Sequence, residues 1–155
     1  ISAGMAHALG SGIMVVELQQ NSDLTYRLYD WDRRDDQGRS RPLHIEKALE
    51  TLSFDAQPSP KACLDLEARE KILAENAHFT LSYLRVSGEE ARATNDQAFD
   101  LLIVVDGDGG IKCGQEEYPA RYGDSFLLPA GLGEYSLYGQ LTLLMGRARP
   151  CVSGL

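Results

Sequence analysis

The sequence lacks the cysteine patterns of disulfide scaffolds and of thiolate metal sites. Its three cysteines, Cys63, Cys113 and Cys151, are odd in number, and no two of them have CxxC spacing. Reduced thiols are the rule in the cytoplasm, so we predict a cytoplasmic protein. Long apolar runs are also absent, since none approaches the ~20 residues that cross a bilayer. No basic segment precedes a leader-like apolar core. We therefore expect neither a membrane partner nor a leader peptide.

Positive charge is scarce too. The 15 lysines and arginines are outnumbered by 23 acidic residues, which gives a net charge of −8 and an isoelectric point near 4.8. Binding to nucleic acid needs a cationic surface, so we exclude nucleic acid as a partner. A small anionic substrate is not excluded, because a few arginines can dominate the potential inside a cleft.

Histidine is the third scarce residue, with only His7, His44 and His78 in the chain. A mononuclear iron oxygenase would need two histidines and a carboxylate on facing strands. A catalytic zinc ion takes three protein ligands and keeps one open position. The spacing of the three histidines offers neither arrangement, so His7 is a candidate ligand that lacks partners of its own kind, and a packed or surface histidine is the competing interpretation.

The chain is rich in short strands separated by glycine turns. Seven segments after residue 78 have this character: 79–86, 99–105, 110–113, 116–118, 125–128, 134–137 and 141–146. Such spacing is typical of a jelly-roll sandwich or barrel. Residues 42–52 have apolar positions at helical spacing, which predicts one short helix. We predict an all-β protein with a cupin-like jelly roll and one short helical segment.

The first thirty-three residues concentrate the reactive groups. Residues 13–19 and 25–31 alternate in polarity and predict two strands, joined by the turn Asn21-Ser22-Asp23. Arg27 carries a permanent charge on a planar fork that matches phosphate or an enediolate oxygen. Arg33 is a second cation nearby. For Arg34, Arg39 and Arg41 we favour a solvated loop of mixed charge.

Glu17 has two interpretations that the residues alone leave open. Its neighbours on the same strand face are apolar, so a buried carboxylate there must be paired. Arg27, on the following predicted strand, is the obvious partner. The pair could fix strand register, or Glu17 could act in a functional site.

The opening stretch resembles a late motif of type I phosphomannose isomerases in their short bacterial form. The resemblance rests on a spaced set of residues: Ala3-Gly4, His7-Ala8, Gly10, Gly12, Glu17, Gln19 to Asp23, Thr25-Tyr26-Arg27, Tyr29-Asp30-Trp31 and Arg33. The segment RPLHIEKAL and the block GDSFLLPAGLGEYSL are also similar to that family. The resemblance is weak only over residues 53 to 77.

The resemblance implies a zinc-containing cupin enzyme that interconverts mannose 6-phosphate and fructose 6-phosphate through an enediol. It implies that His7 is a zinc ligand, that Arg27 and Glu17 are catalytic and that Arg33 binds substrate. The family's other zinc ligands, a Gln-x-His pair and a glutamate, precede this motif. We therefore expect a C-terminal portion of the isomerase that is inactive as an isolated chain, with its zinc position unfilled.

The expected organisation has four parts. Residues 1–52 form the C-terminal part of the catalytic cupin, 53–77 a connector, 78–149 a second cupin-like β-sandwich without metal, and 150–155 a tail. About three strands cannot satisfy their own edges, so we expect the first part to pack onto the second, to pair with a second copy in a homodimer, or to be disordered. The alternative function is a non-catalytic carbohydrate-binding or regulatory cupin that lacks the metal.

Overall fold

The computed structural model describes residues 1–19, 22, 24–55 and 67–149. The chain divides into two compact units, residues 1–61 and 62–155. Asn21, Asp23, Cys63 and Cys151, which figure in the predictions above, lie outside the described residues, as does the predicted tail at 150–155.

The first unit contains a single α-helix among its described residues, α1 (Ile45–Thr51). The helix lies inside the predicted helical segment 42–52 and buries Ala48, which is 4% exposed. A tight loop at residues 34–40 is closed by a bridge between Arg34 and Ser40. The rest of the described unit is held by turns and by side-chain contacts.

The two strands predicted at 13–19 and 25–31 are absent from the described part of this unit. Their apolar side chains are largely exposed, with Met14 at 80% and Tyr29 at 55%. Alternation shows only that a segment suits a sheet, whereas a strand also needs a neighbour for its backbone N–H and C=O groups. None of the described residues supplies that neighbour, so the prediction of strands here was wrong for this chain.

The second unit is one antiparallel sheet of six strands: β1 (Glu70–Glu75), β2 (Phe79–Ala93), β3 (Asp100–Cys113), β4 (Glu116–Arg121), β5 (Ser125–Leu128) and β6 (Glu134–Ala148). Its order is β1-β2-β6-β3-β4, with β5 paired to β3. The path runs from β1 to β4 without closing into a ring. The predicted all-β class with one short helix is confirmed.

The core of this unit consists of apolar side chains on one face of the long strands. Alternate residues point to opposite faces of a strand, so a buried row marks the inner face. The buried cluster comprises Leu84, Val86, Leu102, Val104, Ile111, Ala120, Leu128, Tyr135, Leu137, Leu141, Leu143 and Met145. At one end of the same face the row continues with charged residues, Asp100 among them at 0% exposed.

The strand boundaries differ from the predicted ones. The segments 99–105 and 110–113 belong to one strand, β3, and the segments 134–137 and 141–146 belong to β6. β2 continues through Gly88 to Ala93 instead of turning there. β1 lies within the predicted connector 53–77, because its backbone pairs with β2 from Glu70 to Glu75. Among the described residues, no helix has the length and apolarity that crossing a membrane requires.

Candidate functional site

All four predicted site residues, His7, Glu17, Arg27 and Arg33, lie in the first unit. Arg27 is the most enclosed of them, since its side chain is 21% exposed. His7, Glu17 and Arg33 are exposed. The side chain of Arg27 is therefore partly buried by its neighbours, and the side chains of the other three residues are exposed at the surface of this unit.

The backbone of Arg27 is held by His44. The Arg27 N–H donates to Nδ1 of the His44 imidazole at 3.2 Å. In the other direction, the His44 N–H donates to the Arg27 carbonyl oxygen at 2.8 Å. The ring of Tyr26 lies 6.2 Å from the His44 ring, centroid to centroid. His44 was not among the predicted site residues, and no local pattern marks it.

The side chain of Arg27 has partners from the same part of the unit. Its Nη1 donates to the carbonyl oxygen of Pro42 at 3.2 Å. Its Nε lies 3.9 Å from a carboxylate oxygen of Asp30. The predicted pairing of Arg27 with Glu17 is not found: among the described residues, none forms a hydrogen bond or an ion pair with the Glu17 carboxylate.

Asp30 is the buried anion of this region at 7% exposed. Arg41 donates two hydrogen bonds to the Asp30 carboxylate, from Nε to Oδ2 at 2.8 Å and from Nη2 to Oδ1. The hydrogen bond from Arg41 lowers the pKa of the Asp30 carboxyl below its ordinary value. Burial opposes this shift, and the charges of Arg41, Arg27 and Arg33 add to it. The same bond raises the pKa of Arg41.

The pairing of Arg41 with Asp30 corrects the interpretation of Arg41 as a solvated loop residue. A planar fork facing a carboxylate is the arrangement that makes arginine pairs strong and directional. Arg39 and Arg34 do remain in the loop, where Arg39 pairs with Asp35 at 2.9 Å and Arg34 bonds the Gly38 carbonyl. The three arginines differ in the acceptor group that each one reaches. Sequence spacing does not reveal that acceptor.

Arg33 lies over the only tryptophan of the chain. Its guanidinium carbon is 5.6 Å from the centre of the Trp31 ring, a cation–π distance. Trp31 and Asp32 both have positive φ, at 51° and 53°, and the Arg33 N–H donates to the Asp30 carbonyl at 3.0 Å. Arg27 and Arg41 pair with the Asp30 carboxylate, and the charge of Arg33, which follows this left-handed turn, also acts on it. The cluster is locally cationic on an acidic chain and is suited to bind an anion.

The described residues do not fit a zinc ion. Nδ1 of His7 is 3.0 Å from the Met5 carbonyl oxygen, the kind of bond that orients a histidine whose Nε2 binds metal. A zinc site nevertheless needs three protein ligands. In the ranges 1–55 and 67–149, apart from the undescribed positions 20, 21 and 23, no group of three histidine, cysteine or acidic side chains is placed to hold a metal ion.

The second unit has charged side chains on its inner face that sequence reasoning did not single out. Asp100 accepts from Nε and Nη2 of Arg147 at 2.6 and 2.7 Å and from the Tyr135 hydroxyl at 3.0 Å. Arg92 donates to Glu90 at 2.6 Å and to Glu70 at 2.8 Å. Each acid in this group faces a base. With Arg69, which pairs with Glu90 at 2.7 Å, the group has three carboxylates and three guanidinium groups and is a neutral network that holds strands together.

Comparison with known proteins identifies the family. A family profile described as "Mannose-6-phosphate isomerase, cupin domain" matches residues 69–147. Mannose-6-phosphate isomerase ManA of Bacillus subtilis (strain 168) is 38% identical over 142 residues, which are 90% of this chain and 45% of that protein. Mannose-6-phosphate isomerase of Streptococcus mutans is 37% identical over 154 residues, covering 97% of this chain and 48% of the relative.

A solved structure agrees with these sequences. The crystal structure of the mannose 6-phosphate isomerase from Bacillus subtilis has a TM-score of 0.63 and 28% identity, and the match covers 82% of this chain and 41% of that one. The chain thus spans about half the length of the curated relatives it matches. The predicted family is confirmed together with the cupin fold: this chain belongs to the mannose-6-phosphate isomerase family and contains that family's cupin domain.

Proposed function

We propose that this chain is the C-terminal portion of a mannose-6-phosphate isomerase, an aldose–ketose isomerase of the cytoplasm. The observation that carries the proposal is identity of 38% over 90% of the chain with an isomerase of that name. In this proposal residues 1–52 contribute to the catalytic cupin, and residues 78–149 form a second cupin-like domain joined to it by 53–77. The substrates are the sugar phosphates mannose 6-phosphate and fructose 6-phosphate.

The reaction moves one proton between neighbouring carbons. A base removes the proton from C2 of the open-chain aldose while O1 gains a proton, which gives a cis-enediol. Loss of the proton on O2 and protonation at C1 then yield the ketose. Negative charge develops on the sugar oxygens along this path, and Arg27 is proposed to stabilise it, since a fixed donor near a developing oxyanion is a large source of catalysis.

Two further residues have proposed roles. Arg33 is a second guanidinium close to the Asp30 carboxyl, as its effect on the pKa of that group indicates. It is therefore proposed to bind the substrate's phosphate. Glu17 is proposed as an acidic residue of the catalytic wall. Its exposed carboxylate is accessible to a substrate, and the general base is not assigned to it or to any other residue.

Zinc is proposed as the cofactor of the whole isomerase, with His7 as one ligand. A zinc ion in such a site would polarise a sugar oxygen. The described residues offer His7 without two companions. We therefore propose that the isolated chain has no isomerase activity and holds no stoichiometric zinc.

The alternative is a non-catalytic carbohydrate-binding or regulatory cupin without metal. The observation that favours it is the same lack of a three-ligand group among the described residues. The cationic cluster of Arg27, Arg33 and Arg41 would bind a sugar phosphate equally well with no chemistry following.

The exposed segments also support a proposed homodimer. Residues 13–16 carry apolar side chains that are 36% to 80% exposed. Contiguous exposed apolar side chains are typical of surfaces that a protein partner covers, and a second copy of this chain would bury them. Light scattering of the isolated chain at micromolar concentration should give a mass of two chains, and a monomer at all concentrations would contradict the dimer.

A chimeric enzyme tests the isomerase proposal. In Bacillus subtilis ManA, the segment matched by this chain is replaced with the 155 residues of this protein, and isomerisation of mannose 6-phosphate is measured beside the isolated chain. The chimera should be active, and the isolated chain should have neither activity nor bound zinc by elemental analysis. Arg27→Lys in the chimera should lower kcat by ~10²-fold or more. Arg34→Lys, at an exposed arginine of the loop, is the matched control and should retain activity.

Other results of the chimera experiment would contradict parts of the proposal. A folded chimera that binds mannose 6-phosphate without converting it would favour the binding module. One zinc per isolated chain would contradict the proposed incompleteness of the site, and so would isomerase activity of that chain.

A further inference from the structure

His44 and Arg27 form a pair of reciprocal hydrogen bonds across seventeen positions of the chain. The Arg27 N–H donates to Nδ1 of His44 at 3.2 Å, and the His44 N–H donates to the Arg27 carbonyl at 2.8 Å. Both the donor and the acceptor of the Arg27 backbone are thus satisfied by one residue. No neighbour in sequence could fix the Arg27 backbone in this way.

The first of these bonds specifies the tautomer of the neutral ring. A backbone N–H can only donate, so Nδ1 of His44 must present its lone pair. The neutral imidazole therefore carries its proton on Nε2. Because the ring acts as an acceptor at this position, a side chain without an acceptor there would lose the bond even if it had the same size.

The helix α1 holds His44 in place. His44 directly precedes the helix, and its carbonyl accepts from the Ala48 N–H at 2.8 Å. Residues at this position commonly use their side chains to cap the helix, but the His44 side chain makes no capping bond. The imidazole is directed to Arg27 instead. Its contact with Arg27 is therefore separate from the start of the helix.

The side chain of Arg27 is held by the same segment. Its Nη1 bonds the carbonyl of Pro42, two residues before His44, at 3.2 Å. Residues 42–44 thus hold the Arg27 backbone at two points and its guanidinium at a third, and the Asp30 carboxylate lies 3.9 Å from the Arg27 Nε. A displacement of about 1 Å in a group that acts on the reacting centre can cost ~10²-fold in rate.

We propose that His44 is a positioning residue for Arg27, acting through its Nδ1 acceptor and touching no substrate itself. The proposal rests on the proposed function, because it takes Arg27 as the group that stabilises developing charge. The opposing explanation is that His44 only fills space at the start of α1.

Amide hydrogen exchange in the complete isolated chain tests the contact directly. His44→Leu keeps the bulk of the side chain and removes the acceptor, so exchange of the Arg27 N–H should become about tenfold faster. His44→Asn places an amide oxygen near the position of Nδ1, so exchange should stay within about threefold of the native rate. The Ala48 and Leu52 amides report whether α1 is intact. The matched control is His78→Leu, at an exposed histidine of the other unit, which should leave Arg27 unchanged.

Kinetics in the ManA chimera tests the consequence. His44→Leu should lower kcat by about 10- to 100-fold while KM changes less than threefold, because the loss falls on transition-state charge. His44→Asn should restore kcat to within about threefold. Unchanged Arg27 exchange in the His44→Leu chain would overturn the proposal, as would an unchanged kcat or equal losses in H44L and H44N. A chimera that is inactive with the native chain would instead contradict the proposed function, while the exchange data still decide whether the contact exists.

Discussion

Gly139 in β6 lies against Gly109 in β3 so closely that a Cβ on Gly139 would be 2.5 Å from the Gly109 Cα. The two residues are also register partners. On its other side Gly139 pairs with Gly88 in β2. Three glycines therefore form a row across three neighbouring strands. A row without side chains lets β3 and β6 approach more closely than larger residues would allow.

Alanine at Gly139 should be strongly destabilising. The added methyl group would meet Gly109 and the Asp108 carbonyl oxygen at 2.5 and 2.7 Å, and the residue has φ of 106°. Overpacking and left-handed strain together should lower the free energy of unfolding of the second unit by about 2–4 kcal/mol. Urea unfolding followed by far-UV circular dichroism measures this.

Gly88→Ala is the matched control for the glycine row. Gly88 has φ of 96° but open space around its Cβ position, so only strain applies and about 1–2 kcal/mol should be lost. Equal losses in G88A and G139A would show that close approach of β3 and β6 does not matter.

The glycine row explains which strand boundaries could be predicted. Ser87-Gly88 and Asp106 to Gly110 have the composition of turns, and turns were predicted there. The same glycines serve to let backbones approach within one continuous sheet, and local composition does not separate the two uses. The closely spaced short strand segments of the second unit did predict its fold class correctly, because two neighbouring segments remain β-structure whether the glycines between them form a turn or lie within one long strand.

The residues of the candidate site also fall into two groups, those that the sequence identified and those that only the structure shows. His7, Glu17, Arg27 and Arg33 were identified by resemblance to a family motif, and their roles remain predictions. His44 and the Asp30–Arg41 pair were not identified, because their contacts join positions 11 to 17 residues apart. Such contacts depend on how the loop folds back onto the start of α1, which neither polarity pattern nor spacing expresses.

Arg92 should contribute far more to the free energy of unfolding than an arginine in an exposed ion pair does. Its side chain is 16% exposed and that of its partner Glu90 is 10% exposed. Arg92→Leu would leave the Glu90 carboxylate buried with Arg69 as its remaining partner, and breaking buried pairs is costly. We expect a loss of about 2–3 kcal/mol in urea unfolding of the second unit, at the low end of such effects because Arg69 stays in contact.

The same substitution, arginine to leucine, at Arg149 gives the comparison with an exposed ion pair. Arg149 pairs with Glu75 at 2.7 Å, but each side chain is 46% exposed. Exposed pairs contribute ~0–1 kcal/mol, so Arg149→Leu should lower the unfolding free energy by no more than that. If both variants lose the same amount, burial of the Arg92 network is not what makes it stabilising.

Asp30 should give the first unit an acid transition below the ordinary range of an aspartate. The hydrogen bond from Arg41 holds the pKa of Asp30 below its usual 3.8. A lowered pKa contributes stability that is present above the unfolded value and is lost as pH falls through the folded value. Trp31 adjoins Asp30 and is the only tryptophan of the chain, so its fluorescence should change with a midpoint below pH 3.8.

Arg41→Leu should move this fluorescence midpoint upward, because the donor that stabilises the carboxylate is removed. Arg34→Leu is the control, since Arg34 bonds the Gly38 carbonyl and not Asp30, and it should leave the midpoint in place. If the pH midpoint of the fluorescence change is the same in Arg41→Leu and in the native chain, the transition belongs to another carboxyl group.

Tyr135 should produce the opposite behaviour at high pH. Burial raises the pKa of its phenol above the usual range, the charge of Asp100 and the hydrogen bond to it raise it further, and Arg92 and Arg147 oppose the shift. A raised pKa contributes stability that is complete below the unfolded value of about 10 and is lost as pH rises through the folded value. The second unit should therefore lose stability as pH climbs above about 10. Subtracting the 295-nm titration of Tyr135→Phe from that of the native chain should show no Tyr135 phenolate in the ordinary tyrosine range.

Tyr135→Phe should itself cost about 1–2 kcal/mol at pH 7, because the Asp100 carboxylate loses one donor at 3.0 Å and keeps Arg147. Above pH 10 the difference between the variant and the native chain should shrink, since the native chain is then losing the contribution that the variant never had. Tyr29→Phe, at a side chain of the other unit that is 55% exposed, should change neither the stability of the second unit at pH 7 nor its alkaline slope. An alkaline slope that is the same in Y135F and the native chain would place the responsible group elsewhere in the sheet. A slope removed by Y135F alone would assign the alkaline limit of this cupin domain to ionisation of the buried Tyr135 phenol beside Asp100.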